Sequence, residues 1–280
     1  KGEVSRGIIS VGDSVFASIN AARRKSIMRN HTAAHLLQAA LRQVLGTHVE
    51  QAGQLVNETE VRFDFTHFNP MTTQEIAKVE MLVNKFILSA SSVTMQEMPI
   101  EEAKKMGAMM LFGEKYGDIV RVVNIKDCSV ELCGGTHVNN VAEIGLFKIV
   151  SEAGVASGVR RIEAITGKAA IDYMNAKAKL LQTAITTLKT NESNLCDKIA
   201  NLLQENKEMK TEIAKVQAER AKADSNKLLM ALKEYNGVNV IVGKIQAANM
   251  DELRNNADLL CNKFDKAGVV VLGAILNDKV

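Results

Sequence analysis

The chain has 280 residues, 46% of them hydrophobic, which is enough for about two domains with real cores and excludes a disordered tail. Lys and Arg number 35 against 32 Asp and Glu, and a net charge of only +3 excludes a strongly basic field as the means of holding a nucleic acid, so any such partner is recognised locally. Aromatic residues at 4% and just two prolines weigh against a sandwich or propeller, and four unevenly spaced cysteines without a leading apolar segment point to a reducing, cytoplasmic compartment rather than a disulfide framework.

Residues 1–28 alternate loosely and predict one or two strands that end a preceding β subdomain. Residues 30–45 follow a helical pattern, with Asn30 as its cap and Gly46 as its stop. A second helix is signalled by Thr72 with Glu75 three residues on, a capping box, and then by Ile76, Val79, Leu82, Val83, Phe86 and Ile87 at helical spacing. β-like runs at 61–65, 119–123 and 144–150 complete an α+β domain of segregated helices and antiparallel-rich sheet, reaching to about residue 168.

From Lys168 to Asn236 there is neither Gly nor Pro, and apolar residues from Leu181 to Val216 recur three and four apart, with Glu192, Asn206 and Arg220 in the seam of the heptad. Poor helix formers at 190–194 favour a helical hairpin or coiled coil over one continuous rod. Strand 238–245, helix 250–266 and strand 269–275 read as the opening of an α/β domain. The expected divisions are thus 1–28, 29–168, a helical linker at 169–235 and a partial C-terminal domain at 236–280. The start at Lys1 in mid-pattern and the end just after a strand-like run predict a piece of a longer polypeptide, largely monomeric if its heptads pair internally.

His31 and His35 stand four apart on a predicted helix, hence one turn apart on one face, as ligation of a metal from a helix requires. On a helical wheel they share a stripe with Gln38 and Arg42, opposite the apolar arc of Ala33, Leu36, Leu37, Ala40, Leu41 and Val44. About a hundred residues later Cys133 and His137 repeat the four-residue spacing around Gly134, Gly135 and Thr136, where the glycines permit a tight turn and close backbone approach. Three imidazoles and one thiol form a tetrahedral N/S set suited to Zn²⁺. Two other readings stand beside it: Cys133 as a nucleophile activated by a histidine, and a purely structural zinc whose four protein ligands leave no open position.

The segments around these pairs, namely 29–37, His48-Val49-Glu50-Gln51, Arg62-Phe63-Asp64-Phe65, 112–118, Cys133 to Val138 and 158–164, resemble in order and spacing the editing domain of alanyl-tRNA synthetases. The heptad segment and the α/β start are similar to the helical linker and C-terminal domain of that family. The resemblance implies hydrolysis of the ester joining serine or glycine to the acceptor end of tRNA(Ala), with Zn²⁺ held by His31, His35, Cys133 and His137. It implies that Gln51 binds the aminoacyl group, and makes Thr32, Gly134, Gly135 and Thr136 the candidate polar groups of the pocket. Arg62, Arg160 and Arg161 are candidate tRNA contacts, against the ordinary alternative of arginines paired with carboxylates. Gln54 stands where the family commonly has serine and Cys128 where it commonly has an aromatic. A freestanding editing protein and a non-catalytic zinc-stapled tRNA-binding or dimerisation module are the other functions to weigh. No stretch resembles a synthetase ATP site.

Overall fold

The computed structural model describes residues 3–110, 116–245, 250–265 and 267–274, and the chain divides into two compact units at 181/182. Within the first unit, helix α1 (Ala21–Leu45) starts at Asn20, whose side chain accepts from Arg23 N at 3.0 Å, and stops at Gly46, which adopts a φ of 119°. The expected stop is therefore observed and the expected cap is not. Asn30 lies inside the helix, buried, donating to Asn57 O and accepting from the Thr166 hydroxyl, so its polar atoms tie the helix to the sheet instead of opening a turn. The strands expected within 1–28 are also absent from the described residues: 3–20 are exposed and irregular, and Arg23-Arg24-Lys25 belong to the first turn of α1.

Strands β1 (Gln51–Val56) and β2 (Val61–Thr66) form an antiparallel hairpin whose turn is closed by Asn57, its Oδ1 accepting from the amides of Thr59 and Glu60. In β2, Val61, Phe63 and Phe65 point inward and Arg62 and Asp64 outward, the period of a half-buried strand. Helix α2 (Thr73–Leu88) begins with the expected capping box, Thr72 and Glu75 bonding each other's backbone amides. Strand β3 (Val93–Pro99), the short helix α3 (Ile100–Lys105), β4 (Ile119–Ile125) and β5 (Ser129–Leu132) follow, the three strands pairing antiparallel in chain order. Strands β6 (Phe147–Ala156) and β7 (Val159–Thr166) join the first hairpin in the order β1-β2-β7-β6.

A main core and a smaller cluster of Ala103, Ala108, Val120, Val122 and Leu132 hold this unit together. Leu36, Leu37 and Leu41 of α1, Val79 and Val83 of α2, and Phe63, Phe65, Phe147 and Ile162 of the four-stranded sheet are all fully buried in the main core. β6 is the edge of that sheet, and α2 serves its free backbone groups: Asn84 both donates to Phe147 O and accepts from Phe147 N, while Glu80 accepts from Ile149 N. The fold is thus mixed helix and antiparallel sheet, as the pattern predicts.

Helix α4 (Gly167–Thr187) follows β7 and crosses the division between the units. In the second unit, α5 (Leu195–Leu229) starts after a break at 188–194, where Lys189 takes a φ of 48° and Asn191 accepts from Asn194 N. The poor helix formers therefore do interrupt the helix. The seam residues Met209, Ile213 and Val216 of α5 are exposed. Strands β8 (Lys233–Tyr235) and β9 (Val238–Lys244) form a hairpin through Asn236-Gly237, both at positive φ, and β9, helix α6 (Met250–Cys261) and β10 (Gly268–Gly273) make a parallel βαβ unit. The helix ends at Cys261 and the last strand at Gly273, short of the expected 266 and 275, which themselves lie outside the described residues.

Candidate functional site

The histidine stripe of α1 does not face solvent. His35 and Gln38 are as buried as the helix's apolar arc, because the stripe packs against β5 and the turn that follows it. That turn runs from Cys133 to His137, and one ligand atom from each of His31, His35, Cys133 and His137 lies within 4.8 Å of every other. Cys133 Sγ is 3.3 Å from His137 Nε2 and 3.5 Å from His31 Nε2. Ligands of a tetrahedral ion at about 2.3 Å for sulfur and about 2.05 Å for nitrogen stand about 3.6 Å apart, so the spacing and donor chemistry fit a metal such as Zn²⁺.

The rings are also turned for ligation. Thr32 is fully buried, donates to Met28 O at 2.9 Å, accepts from Val138 N at 3.2 Å, and stands 3.2 Å from His137 Nδ1. With its proton given to Met28, the hydroxyl can only accept from Nδ1–H, which leaves the Nε2 lone pair of His137 facing the cluster. His35 Nδ1 lies 2.8 Å from Glu131 Oε2, an ion-pair contact rather than an aligned hydrogen bond, and Ser129 Oγ donates to the other carboxylate oxygen. Burial resists a charge on His35, yet Glu131 and Cys133 hold its pKa up at about 10. Burial likewise pushes the Cys133 thiol up, but its contacts with His137, His31 and His35 prevail and bring it down to about 3. In His137 burial wins and the pKa falls to about 4. Ligation takes a thiolate and neutral imidazoles, the forms that Cys133 and His137 already have, whereas His35 would give up a proton on binding the metal.

The two glycines of the turn serve differently. A Cβ on Gly135 would stand 1.9 Å from His31 Cε1, so this glycine exists for the close approach of backbone to ring, whereas a Cβ on Gly134 would meet nothing within 4 Å. Gly135 N–H is directed at Cys133 Sγ, 3.5 Å away.

Beside Cys133 and His35 opens a small cavity of about 40 Å³ lined by Gln38, Gln51, Gln54, Met109 and Met110. Gln51 is therefore brought to the cluster, and Gln54, noted in the sequence only as a departure, reaches to 3.3 Å from His31 Nε2. Thr32 is not brought to this cavity: its hydroxyl is saturated behind His137, so it orients a ligand instead of lining the pocket. Arg161 forms a bidentate pair with Asp64 at 2.6 and 2.7 Å, Arg160 pairs with Glu152 at 2.6 Å, and Arg62 lies 3.9 Å from Glu163, all on the four-stranded sheet. The ordinary alternative, arginines paired with carboxylates, is thus what the sheet displays. Residues 112–115 of the 112–118 segment lie outside the described residues.

Sequence reasoning missed Glu131, Gln38 and Met109 as members of the site. Gln38 had a signal, its place on the histidine stripe, and its amide reaches Met109 Sδ at 2.7 Å. Glu131 sits two residues before Cys133, but nothing local says that it faces a histidine 96 positions earlier in the chain.

Residues 120–163, which include Cys133, His137, Arg160 and Arg161, match the model of the threonyl and alanyl tRNA synthetase second additional domain. Over its full length the chain is 49% identical to the alanine–tRNA ligase of Acetivibrio thermocellus, 47% to that of Hydrogenovibrio crunogenus and 47% to that of Bacillus subtilis, covering all of this chain and 32% of each relative. The chain groups with the alanine–tRNA ligases along its whole length and spans about a third of theirs. No helix among the described residues is long and apolar enough to cross a membrane.

Proposed function

We propose that this chain hydrolyses the ester of serine or glycine wrongly joined to tRNA(Ala), the editing arm of an alanine–tRNA ligase. The observation that carries the proposal is the meeting of four metal-ligating side chains with Gln51 at a cavity sized for a very small side chain. His31, His35, Cys133 and His137 would hold Zn²⁺, which when bound supplies Lewis-acid charge at the cluster. Gln51 then orients the aminoacyl group, and the amides of Gly134 and Thr136, which do not line the cavity itself, would be the donors to the ester oxygen, the Gly135 amide being engaged by sulfur. The activity resides in 29–168, with 169–235 as linker and 236–280 as a C-terminal piece. Amino-acid activation is not expected of this chain. The paired arginines position the sheet, and contact with tRNA through Arg62, Arg160 or Arg161 requires loosening Glu163, Glu152 or Asp64.

Selectivity follows from the same cavity. Alanine lies between glycine and serine in size, so exclusion by bulk cannot spare it, whereas a pocket of amides that bonds the serine hydroxyl disfavours a methyl by up to about 10⁴-fold. The test is deacylation of seryl-, glycyl- and alanyl-tRNA(Ala) by this chain and by its Gln51→Ala variant. The expected order is serine, glycine, alanine, with Gln51→Ala losing most of the serine preference. Equal rates on all three would place the discrimination elsewhere. A non-catalytic zinc module would deacylate none of them.

A further inference from the structure

Unlike Arg62, Arg160 and Arg161, Arg121 has no carboxylate within ion-pair distance among the described residues. It sits in β4 beside the turn, and its guanidinium Nη1 donates to Cys133 O at 3.0 Å and to Gly135 O at 2.5 Å, while Nη2 lies against Met95 Sδ at 2.9 Å. Its own carbonyl accepts from Cys133 N at 3.0 Å. One residue thus grips the turn by backbone and side chain together.

The consequence follows from peptide geometry. In a trans peptide the C=O of one residue and the N–H of the next point in opposite directions. With the carbonyls of Cys133 and Gly135 both turned to Arg121, the amides of Gly134 and Thr136 are turned away from it, and neither meets an acceptor among the described residues. The intervening Gly135 amide is the one that reaches the Cys133 sulfur. The directions of the Gly134 and Thr136 amides are therefore set by where the two carbonyls before them are held.

We propose that Arg121 is a positioning residue of the metal centre: it clamps the carbonyls of Cys133 and Gly135, which fixes the thiolate against His31 and His137 and leaves the Gly134 and Thr136 amides free to receive an oxygen of the substrate. The proposal rests on the reading of the cluster as a metal site. A planar fork that bridges two carbonyls is a task lysine does not perform, since an ammonium is a compact point charge on a flexible stem. Arg121→Lys keeps the charge and loses the bridge. Arg121→Ala loses both and opens space that methylguanidinium fills.

The experiment compares wild type, Arg121→Lys and Arg121→Ala for Zn²⁺ affinity by chelator competition, for the absorption bands of the Co²⁺-substituted protein, and for the kcat and KM of seryl-tRNA(Ala) deacylation. Both variants should bind metal roughly 10- to 100-fold more weakly, as loss of a supporting residue does, with shifted thiolate-to-cobalt bands. kcat should fall by about 10²-fold with KM little changed, because amides that meet the developing charge act in the transition state. Methylguanidinium should restore affinity and bands in Arg121→Ala, a recovery that guards against simple misfolding. Wild-type affinity and wild-type cobalt bands in Arg121→Lys, or an Arg121→Ala protein that folds and ignores methylguanidinium, would overturn the proposal. A wild-type chain that takes up no metal would instead sink the reading of the cluster, and the proposal with it.

Discussion

Gly135 is the residue on which the two halves of the ligand set depend, because the His31 ring occupies the space where its Cβ would be. Adding that carbon at 1.9 Å from Cε1 and 2.2 Å from Nδ1 forces either the ring or the turn to move, and both carry ligands. Gly135→Ala should therefore weaken metal binding at least roughly 10-fold, the range in which disturbed ligand support acts. Gly134→Ala, whose methyl meets nothing within 4 Å, should bind like wild type. Chelator competition on the two variants checks this, and equal affinities would refute the account of the close approach. The same scale explains Thr32 and Glu131. Thr32 accepts from His137 Nδ1–H and so turns Nε2 to the cluster, while Glu131 stands beside His35 Nδ1 as a counter-charge.

Elements here are positioned by polar ties as much as by apolar packing. α1 is buried on nearly all sides between residues 30 and 41, and of the polar groups it carries inward Asn30, Thr32 and Gln38 find hydrogen-bond partners and His35 an ion-pair contact. α2 plays a different part, as a cover for the edge strand β6. Asn84→Leu would leave the N–H and C=O of Phe147 without the partners that Asn84 supplies, and it should cost about 2–4 kcal/mol of stability, since an unsatisfied buried group costs about 1–3 kcal/mol. Thr72→Ala at the cap of the same helix should cost only about 1 kcal/mol. Urea denaturation ranks the two. An Asn84→Leu protein as stable as Thr72→Ala would show that water replaces the asparagine and that β6 does not need its cover.

For the whole molecule, the main apolar core of the first unit forms between α1, α2, the four-stranded sheet and inward side chains of β3 and β4, and of the four ligand side chains only Cys133 packs against it. Chelation of a bound metal should accordingly abolish deacylation and lower the melting temperature while the far-UV circular dichroism persists. Loss of the helical signal on chelation would mean that the metal holds the fold together, as it does in small zinc domains.

Periodicity and local chemistry made much of this legible from the sequence. The capping box of α2, the Gly46 stop, the inward alternation of β2, the break at 188–194 and the βαβ order of the C-terminal segment are short-range patterns, and each is observed. The spacing of four in both ligand pairs likewise needed only the geometry of one turn. Asn236-Gly237, both at positive φ, is a hairpin signal of the same short-range kind. By contrast, the cap of α1 at Asn20, ten residues before the expected one, was hidden because Asn30 is a good cap in isolation and becomes something else only when Asn57 and Thr166 arrive beside it. That His35 meets Glu131, that Thr32 lies behind His137, and that Arg121 holds the turn while Arg160 and Arg161 answer Glu152 and Asp64 depend on residues 8 to 105 positions apart. A side chain's chemical type is written in the sequence, but the partner that satisfies it is chosen by burial, because only a group removed from water must find one inside the protein.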